Sequence, residues 1–123
     1  MTSARALIAA GLLLALATAC GAFGAHALRA RLSPAMLEVY RTGALYHLVH
    51  AVAVFGVAVA GERLRRGRAI LTLFTAGIVV FAGSLYALAI TGVGVLGAVT
   101  PLGGLLLLAA WALVAAEALP PGH

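Results

Sequence analysis

The sequence predicts an all-α, polytopic membrane protein built as a bundle of four transmembrane helices. Hydrophobic residues make up 64% of the chain and charged residues only 9%, whereas soluble domains carry about 25% charged residues. Several apolar runs also exceed the roughly 18 residues that distinguish a membrane span from a buried core helix. We therefore expect residues 1–123 to form a single domain surrounded by lipid.

Helix start signals and apolar runs define the individual spans. The predicted spans cover about residues 6–28, 42–60, 69–91 and 101–118. Ser33 and Pro34 have the residue types of an N-cap and a first helical residue, so the second helix should begin ahead of its span. Tyr40 lies in this early part and is expected to snorkel at the membrane interface. Thr100 and Pro101 repeat the start signal before the fourth span.

The arginines predict how the chain crosses the membrane. Four spans place both termini and the loop between the second and third spans on one side. That side carries Arg5, Arg63, Arg65, Arg66 and Arg68, and the other side carries Arg29, Arg31 and Arg41. Because basic residues favour the cytoplasmic side, both termini are predicted to be cytoplasmic. The arginines lie between apolar spans and form no single stripe, so lipid is the expected partner and nucleic acid is not.

Cys20 leaves a question of processing open. The apolar run that follows Arg5 reaches Ala17-Thr18-Ala19-Cys20-Gly21, which is similar to a lipoprotein signal. The run continues past Cys20 to Leu28, however, and its length of about 22 residues is enough to span a membrane. A cleaved signal normally ends its apolar run near the cut. An intact first span is therefore the favoured interpretation, and lipidation of Cys20 is the alternative.

Small residues are expected to bring the helices together, because lipid supplies no hydrophobic drive between helices. The candidate packing residues are Gly11, Thr18, Gly21, Gly24, Gly77, Gly83, Gly103 and Gly104. Small-residue faces left uncovered would also allow a second copy of the chain, or another membrane protein, to pack against the bundle.

Polar side chains within the spans are the candidates for a site, since an ionisable residue inside a membrane is a functional candidate. The predicted topology places most of them in the non-cytoplasmic half of the bundle. The candidates are His26, Tyr46, His47, His50, Ser84, Tyr86 and Thr100. The favoured interpretation is that Tyr46 and His50 form hydrogen bonds across helices and set the register between them.

Three chemical alternatives are also compatible with these side chains. The imidazoles of His26, His47 and His50 could bind Zn, Cu or Fe. His26 and His50 on facing helices could ligate haem, and a Tyr–His pair could handle a proton or a quinone. No carboxylate or thiolate is well placed to complete a metal site, and the cofactor is left unknown. A small multidrug exporter is disfavoured, because the three glutamates are predicted to lie at the interface or at helix ends.

Four motifs follow one another along the chain. They are Gly21-Ala-Phe-Gly-Ala-His-Ala-Leu28, Tyr46 with His50-Ala51, Phe81-Ala-Gly-Ser-Leu-Tyr86, and Thr100-Pro-Leu-Gly-Gly-Leu105 followed by Trp111. In this order they resemble the domain of unknown function 423 family, which includes the vertebrate transmembrane protein 256. The resemblance covers nearly the whole chain and implies a small four-helix protein of bacterial inner membranes. It implies no reaction, and His47 departs from the family pattern.

The sequence contains no recognisable catalytic constellation, so we expect no enzyme activity. The leading hypothesis is a structural or accessory membrane component that acts through helix packing. The alternative is a redox-, metal- or proton-linked binding protein with a polar site in the non-cytoplasmic half.

Overall fold

Four long helices make up most of the computed structural model, which describes residues 3–122. Their bounds are α1 Ser3–Phe23, α2 Pro34–Ala60, α3 Gly67–Thr91 and α4 Leu96–Ala116. The helical path of α1 continues as a π-helical turn over Gly24–Leu28, and a 3₁₀ turn over Gly61–Arg63 follows α2. All four helices are long and apolar enough to cross a membrane. The predicted all-α membrane fold with four spans is therefore confirmed.

The start of α2 agrees with the signal in the sequence. Ser33 is the N-cap, and its hydroxyl oxygen accepts a hydrogen bond from the backbone N–H of Met36 at 3.2 Å. Pro34 takes the first helical position, where its missing N–H has no helical partner to lose. Since α2 starts at Pro34, it extends well beyond the predicted span of residues 42–60 toward the loop that follows α1.

The predicted start of the fourth helix at Thr100 and Pro101 is wrong, because both residues lie inside α4. Gly92 ends α3 with a φ of 71°, in the left-handed region that glycine adopts at little cost. This tight turn lets α4 begin at Leu96. Pro101 then removes only one backbone hydrogen bond near the helix start, the one it would make to Gly97. A Thr-Pro pair in the first two turns is thus compatible with a helix that has already begun.

The helices pack in chain order, with α1 against α2, α2 against α3 and α3 against α4. One apolar core draws buried residues from all four helices: Ala6, Ala10, Val54, Ala58, Ile70, Leu71, Phe74, Ile78, Ala82, Leu107 and Ala110. A second, smaller core of Leu28, Leu37, Tyr40 and Ala89 closes the end where α1 meets α2. Among the described residues, the only buried ones that α1 contributes to the main core are Ala6 and Ala10, so α1 packs there without a large buried side chain.

Three of the predicted glycines allow the closest approaches between helices. A Cβ atom at Gly103 would collide with the backbone of Phe81, and one at Gly77 would lie 2.5 Å from a methyl carbon of Leu107. Both positions join α3 to α4. A Cβ atom at Gly24 would collide with the ring of Tyr40. Any larger residue at these positions would therefore force a helix, the ring of Tyr40 or the side chain of Leu107 to move.

The other predicted packing residues are placed differently. Within residues 3–122, no atom outside the helix's own backbone lies within 4 Å of a Cβ built at Gly11, Gly21 or Gly83. Gly104 makes only an ordinary contact, 3.8 Å from the ring of Phe81. The hydroxyl of Thr18 donates to the carbonyl of Leu14 in its own helix. The chain itself therefore leaves much of the small-residue surface of α1 uncovered.

Candidate functional site

His50 connects α2 to α4 and uses both of its ring nitrogens. The indole N–H of Trp111 donates to Nε2 of His50 at 3.0 Å, and Nδ1 of His50 lies 2.7 Å from the carbonyl oxygen of Tyr46. An indole can only donate, so Nε2 carries no proton, and the ring proton at Nδ1 donates to the carbonyl. Phe74 packs edge-on against Trp111, with ring centroids 4.8 Å apart. His50, only 5% exposed, is thus a neutral and fully partnered crosslink.

His47 pairs with Tyr86 and joins α2 to α3. Nδ1 of His47 lies 2.9 Å from the hydroxyl of Tyr86, and the histidine is only 2% exposed. Nε2 of the same ring is buried and makes no hydrogen bond of acceptable geometry within the described chain, although the backbone carbonyl of Leu13 on α1 also interacts with the ring. A buried nitrogen without a hydrogen bond costs about 1–3 kcal/mol, and the carbonyl of Leu13 offsets part of that cost.

Tyr40 and Cys20 extend this pair toward α1. The ring of Tyr40 lies 5.0 Å from the ring of Tyr86, and its hydroxyl donates to the backbone carbonyl of Cys20 at 2.6 Å. Tyr40 is buried, so the expectation that it snorkels at the interface is wrong. The helical period explains the difference, because Tyr40 lies seven residues before His47 and therefore on the same face of α2.

Ser84 and Thr100 form a separate polar contact between α3 and α4. Their hydroxyl oxygens lie 2.6 Å apart, and each hydroxyl also has a backbone carbonyl of its own helix within reach. Hydroxyls that return to their own helix leave no unsatisfied group in lipid. This pair consequently works as a second crosslink near the α3–α4 turn.

Tyr46 and His26 remain outside these pairs. The ring of Tyr46 stacks on His50 with centroids 5.8 Å apart, but 43% of the residue is exposed. Its hydroxyl makes no hydrogen bond within residues 3–122, so Tyr46 does not form the cross-helix bond expected of it. His26 lies exposed in the π-helical turn.

The structure separates the residues expected to share one half of the bundle. His50 lies sixteen residues after Pro34 and ten before Ala60, which places it about 15 Å from the end of α2 that carries the basic loop. Its partner Trp111 lies five residues before the end of α4 at Ala116. His50 therefore lies near the middle of the bundle, about 4–5 Å past the midpoint of α2 toward the end that holds the termini, and not beside Ser84 and Thr100 at the other end. The predicted span of residues 42–60 leaves out the first two turns of α2, so a depth counted from residue 42 places His50 nearer the non-cytoplasmic surface than a depth counted along the whole helix.

This separation bears on the metal and haem alternatives. The turn that holds His26 packs beside Tyr40 through Gly24, and His50 lies ten residues further along α2, a distance of about 15 Å. The structure therefore does not bring His26 and His50 together as a haem pair. Among the described residues, no group of three or more His, Cys, Asp or Glu side chains could hold a metal ion.

Trp111 and Tyr40 are the two site residues whose roles sequence reasoning missed. The seven-residue spacing to His47 could have placed Tyr40 on the buried face. No spacing within the chain relates Trp111 to His50, because the two residues lie on helices that are not neighbours in sequence. Because α3 packs against both α2 and α4, only the tertiary structure brings Trp111 next to His50.

Charged side chains form a different arrangement at the end of the bundle that carries the basic loop. The carboxylate of Glu117 accepts hydrogen bonds from the backbone N–H groups of Arg65 and Arg66 at 2.9 and 2.8 Å. It also lies 3.9 Å from Nε of Arg65 and 3.8 Å from Nη1 of Arg66. Desolvation raises the pKa of Glu117, but these hydrogen bonds and guanidinium charges together outweigh it and hold the pKa below its ordinary value. The contacts fasten the loop to the end of α4.

These features define a small polytopic membrane protein of four helices whose interior polar groups mainly bond to one another. Comparison with known proteins identifies the family to which the chain belongs. A family model described as protein of unknown function (DUF423) matches residues 20–104, and the chain belongs to this family.

Named relatives support the same assignment. The chain is 42% identical over 106 residues to the UPF0382 membrane protein YwdK of Bacillus subtilis, covering 84% of this chain and 86% of that protein. It is 38% identical over 119 residues to the UPF0382 inner membrane protein YgdD of Escherichia coli, covering 93% and 88%. No solved structure matches the chain. The chain is therefore a membrane protein of a family without an assigned activity.

Proposed function

We propose that this chain is a structural or accessory component of the bacterial inner membrane, that it acts through helix packing, and that it is not an enzyme. The observation that carries the proposal is the use of both ring nitrogens of His50 within the fold. Ser84 and Thr100 likewise bond to each other and to their own helices. Polar groups that form hydrogen bonds within the bundle hold the helices in register, and few polar atoms then remain to bind a substrate or cofactor.

The uncovered face of α1 is the surface through which we propose that the protein acts. Gly11, Thr18 and Gly21 fall within about 80° of arc on this face; Gly11 and Gly21 have open space beside them, and Thr18 is exposed. Glycine lets a second helix approach closely in lipid, where packing and not hydrophobicity drives association. A helix of another membrane protein, or of a second copy, would find its contact there.

Purification in a mild detergent, followed by native mass spectrometry, tests this role. We expect a stoichiometric protein partner or second copy that is lost when Gly11 and Gly21 are both changed to leucine. Gly56→Leu is the matched control, because Gly56 on α2 also has open space around it. A chain that is always isolated alone, or one that carries stoichiometric haem, metal or quinone, would contradict the proposal.

We also propose that both termini are cytoplasmic. Five arginines on the terminal side against three on the other support this orientation, and the relative YgdD is named an inner membrane protein. A C-terminal reporter that is active only in the cytoplasm should be active. Activity of a reporter that works only outside the cytoplasm would overturn the orientation.

The unpaired Nε2 of His47 favours a second candidate function, a binding site for a proton or a small polar ligand. The atom is buried between helices, and Tyr86 already bonds to the other nitrogen of the ring. A ligand that supplied one hydrogen bond would remove the desolvation cost of the unpaired atom.

This second candidate is tested by measuring absorbance, metal content and extractable quinone in the purified protein. A bound ligand should disappear in His47→Phe and persist in His26→Phe, since His26 is exposed and outside the pair. If His47→Phe is simply more stable than the wild type and neither protein carries a ligand, the second candidate fails.

A further inference from the structure

A cavity of about 900 Å³ opens at the end of the bundle that carries the basic loop. It lies between the first turns of α1, the end of α2 and the start of α3. The lining of this basic cavity includes Arg63, Arg65, Arg66 and Arg68 and the apolar residues Val57, Ala58, Leu64 and Leu71. Its rim is therefore formed by four guanidinium groups within six consecutive positions.

Two of these four arginines are already occupied. Arg65 donates through Nη2 to the carbonyl of Leu119, and Arg66 donates through Nη1 to the carbonyl of Ala116. Both also face the carboxylate of Glu117. Their side chains hold the loop against the end of α4, and this anchoring gives the rim a defined shape.

The other two arginines carry charge that nothing in the described chain neutralises. The side chains of Arg63 and Arg68 make no hydrogen bond or ion pair within residues 3–122. Glu62 lines the same cavity and forms no ion pair with either of them. An anion entering the cavity would therefore meet two guanidinium groups whose donors are unused.

The inner wall of the cavity is apolar. Ala58 and Leu71 are almost fully buried residues of its lining, and the partly exposed side chains of Val57 and Leu64 provide apolar surface that remains open to the cavity. The cavity thus changes from cationic at its rim to apolar at its floor. This gradient matches an amphiphile with an anionic head and a hydrocarbon chain, whereas a free anion would use only the rim.

The position of the cavity points to the membrane as the source of that amphiphile. The rim lies where α2 ends at Ala60 and α3 begins at Gly67, so it lies at the level at which a membrane helix leaves the hydrocarbon. Lipid phosphates occupy this level, and basic pockets between membrane helices bind anionic head groups. Guanidinium groups also bind phosphate oxygens through two parallel hydrogen bonds.

We propose that the basic cavity binds an anionic phospholipid, whose phosphate lies between Arg63 and Arg68 and whose acyl chain packs against Val57 and Leu64. This site does not depend on the proposed packing role of α1, because that role rests on Gly11 and Gly21, which do not line the cavity. It assigns a ligand class to charged residues that the packing of the bundle does not require.

Lipid titration of the full-length protein in detergent micelles, followed by native mass spectrometry, tests this site. The probes are dioleoyl phosphatidylglycerol and dioleoyl phosphatidylcholine. We expect tighter binding of the glycerol lipid, and a loss of about 30-fold in its affinity in the double variant Arg63→Gln/Arg68→Gln, roughly fivefold for each arginine. Arg29→Gln/Arg31→Gln is the control, since it removes the same charge at the opposite end of the bundle and should leave this affinity unchanged.

Two further measurements, competition by small phosphates and the salt dependence of binding, distinguish a bound lipid from a free anion. Inorganic phosphate and glycerol phosphate, which lack acyl chains, should not displace the lipid at equal concentration, and raised salt should weaken lipid binding through screening. Equal affinity for the two lipids, an equal loss in both double variants, or displacement by inorganic phosphate would overturn the proposal. If the double variant cannot be purified, the wild-type comparison of the two lipids and the phosphate competition still decide it.

Discussion

In the middle of the bundle, the polar atoms of His50 have partners on two helices. At the end that carries the basic loop, Arg63 and Arg68 have none within residues 3–122. The two regions differ because lipid surrounds the first, so an unpaired polar atom there costs free energy, whereas water and head groups reach the second. The partnered polar groups of the interior therefore support a structural role, and the unpartnered charges beside the basic cavity are the basis of the proposal that it binds an anionic lipid.

The largest effect is expected where the crosslinked interior depends on close contact between α3 and α4. Gly103→Ala should lower the free energy of unfolding by about 3 kcal/mol, the upper range for overpacking, because the added Cβ would collide with the backbone of Phe81. Reversible unfolding in mixed micelles measures this value. Gly104→Ala is the control and should be close to neutral, since its Cβ would lie 3.8 Å from the Phe81 ring. Equal effects of the two variants would contradict the packing shown here.

A smaller effect should follow from breaking the crosslink itself. Trp111→Phe keeps an aromatic ring but removes the donor to Nε2 of His50, so we expect a loss of about 1.5 kcal/mol in the same unfolding measurement. Tyr46→Phe should change stability little, because the hydroxyl of Tyr46 has no hydrogen bond in the described chain. If removal of the indole N–H costs nothing while the fold is kept, the view of His50 as a structural crosslink is wrong.

The contact between α2 and α1 should contribute less. Tyr40→Phe removes one hydroxyl that donates to the carbonyl of Cys20, and such bonds in membrane proteins average about 0.6 kcal/mol. The expected result is a loss of that size, with the ring packing against Tyr86 retained. A loss several times larger would show that the hydroxyl holds more than this one contact.

The smallest effect concerns the charged end and should appear as a change in pH dependence. Since the pKa of Glu117 is lowered in the folded state, its carboxylate favours folding at neutral pH, and this contribution is lost as the pH falls below 4.5 and through the lowered value. In Glu117→Gln, the free energy of unfolding should therefore fall less steeply as the pH is lowered into the acid range (the acid limb). The control is Glu38→Gln, in the second turn of α2 at the other end of the bundle. The carboxylate of Glu38 has no ion pair within residues 3–122, so its removal should leave the pH dependence unchanged. An unchanged acid limb in Glu117→Gln would contradict the contacts of the loop with α4.

Much of the site could be anticipated from individual residues, but the pairing could not. The sequence identifies polar residues within the spans as site candidates, because such residues are rare in membrane helices and need partners there. They include His47, His50, Ser84, Tyr86 and Thr100. Which partner each one takes depends on helix rotation and depth, and neither is fixed by the spacing of residues within one helix: nothing in the spacing along α2 indicates that His50 bonds to Trp111 of α4. The glycines illustrate the same limit, since Gly103 and Gly104 are adjacent in sequence and differ completely in what they contact.

The sequence by itself determined that this is a four-helix membrane protein of the DUF423 family, because composition, span length and motif order do not depend on how the helices rotate. It also determined where the arginines gather. Only the tertiary structure decided that His50 bonds to Trp111, that Nε2 of His47 is left unpaired, and that Arg63 and Arg68 face a cavity with an apolar floor. The physical reason is that lipid leaves the choice of partners to packing and hydrogen-bond geometry between helices, which a single sequence does not express.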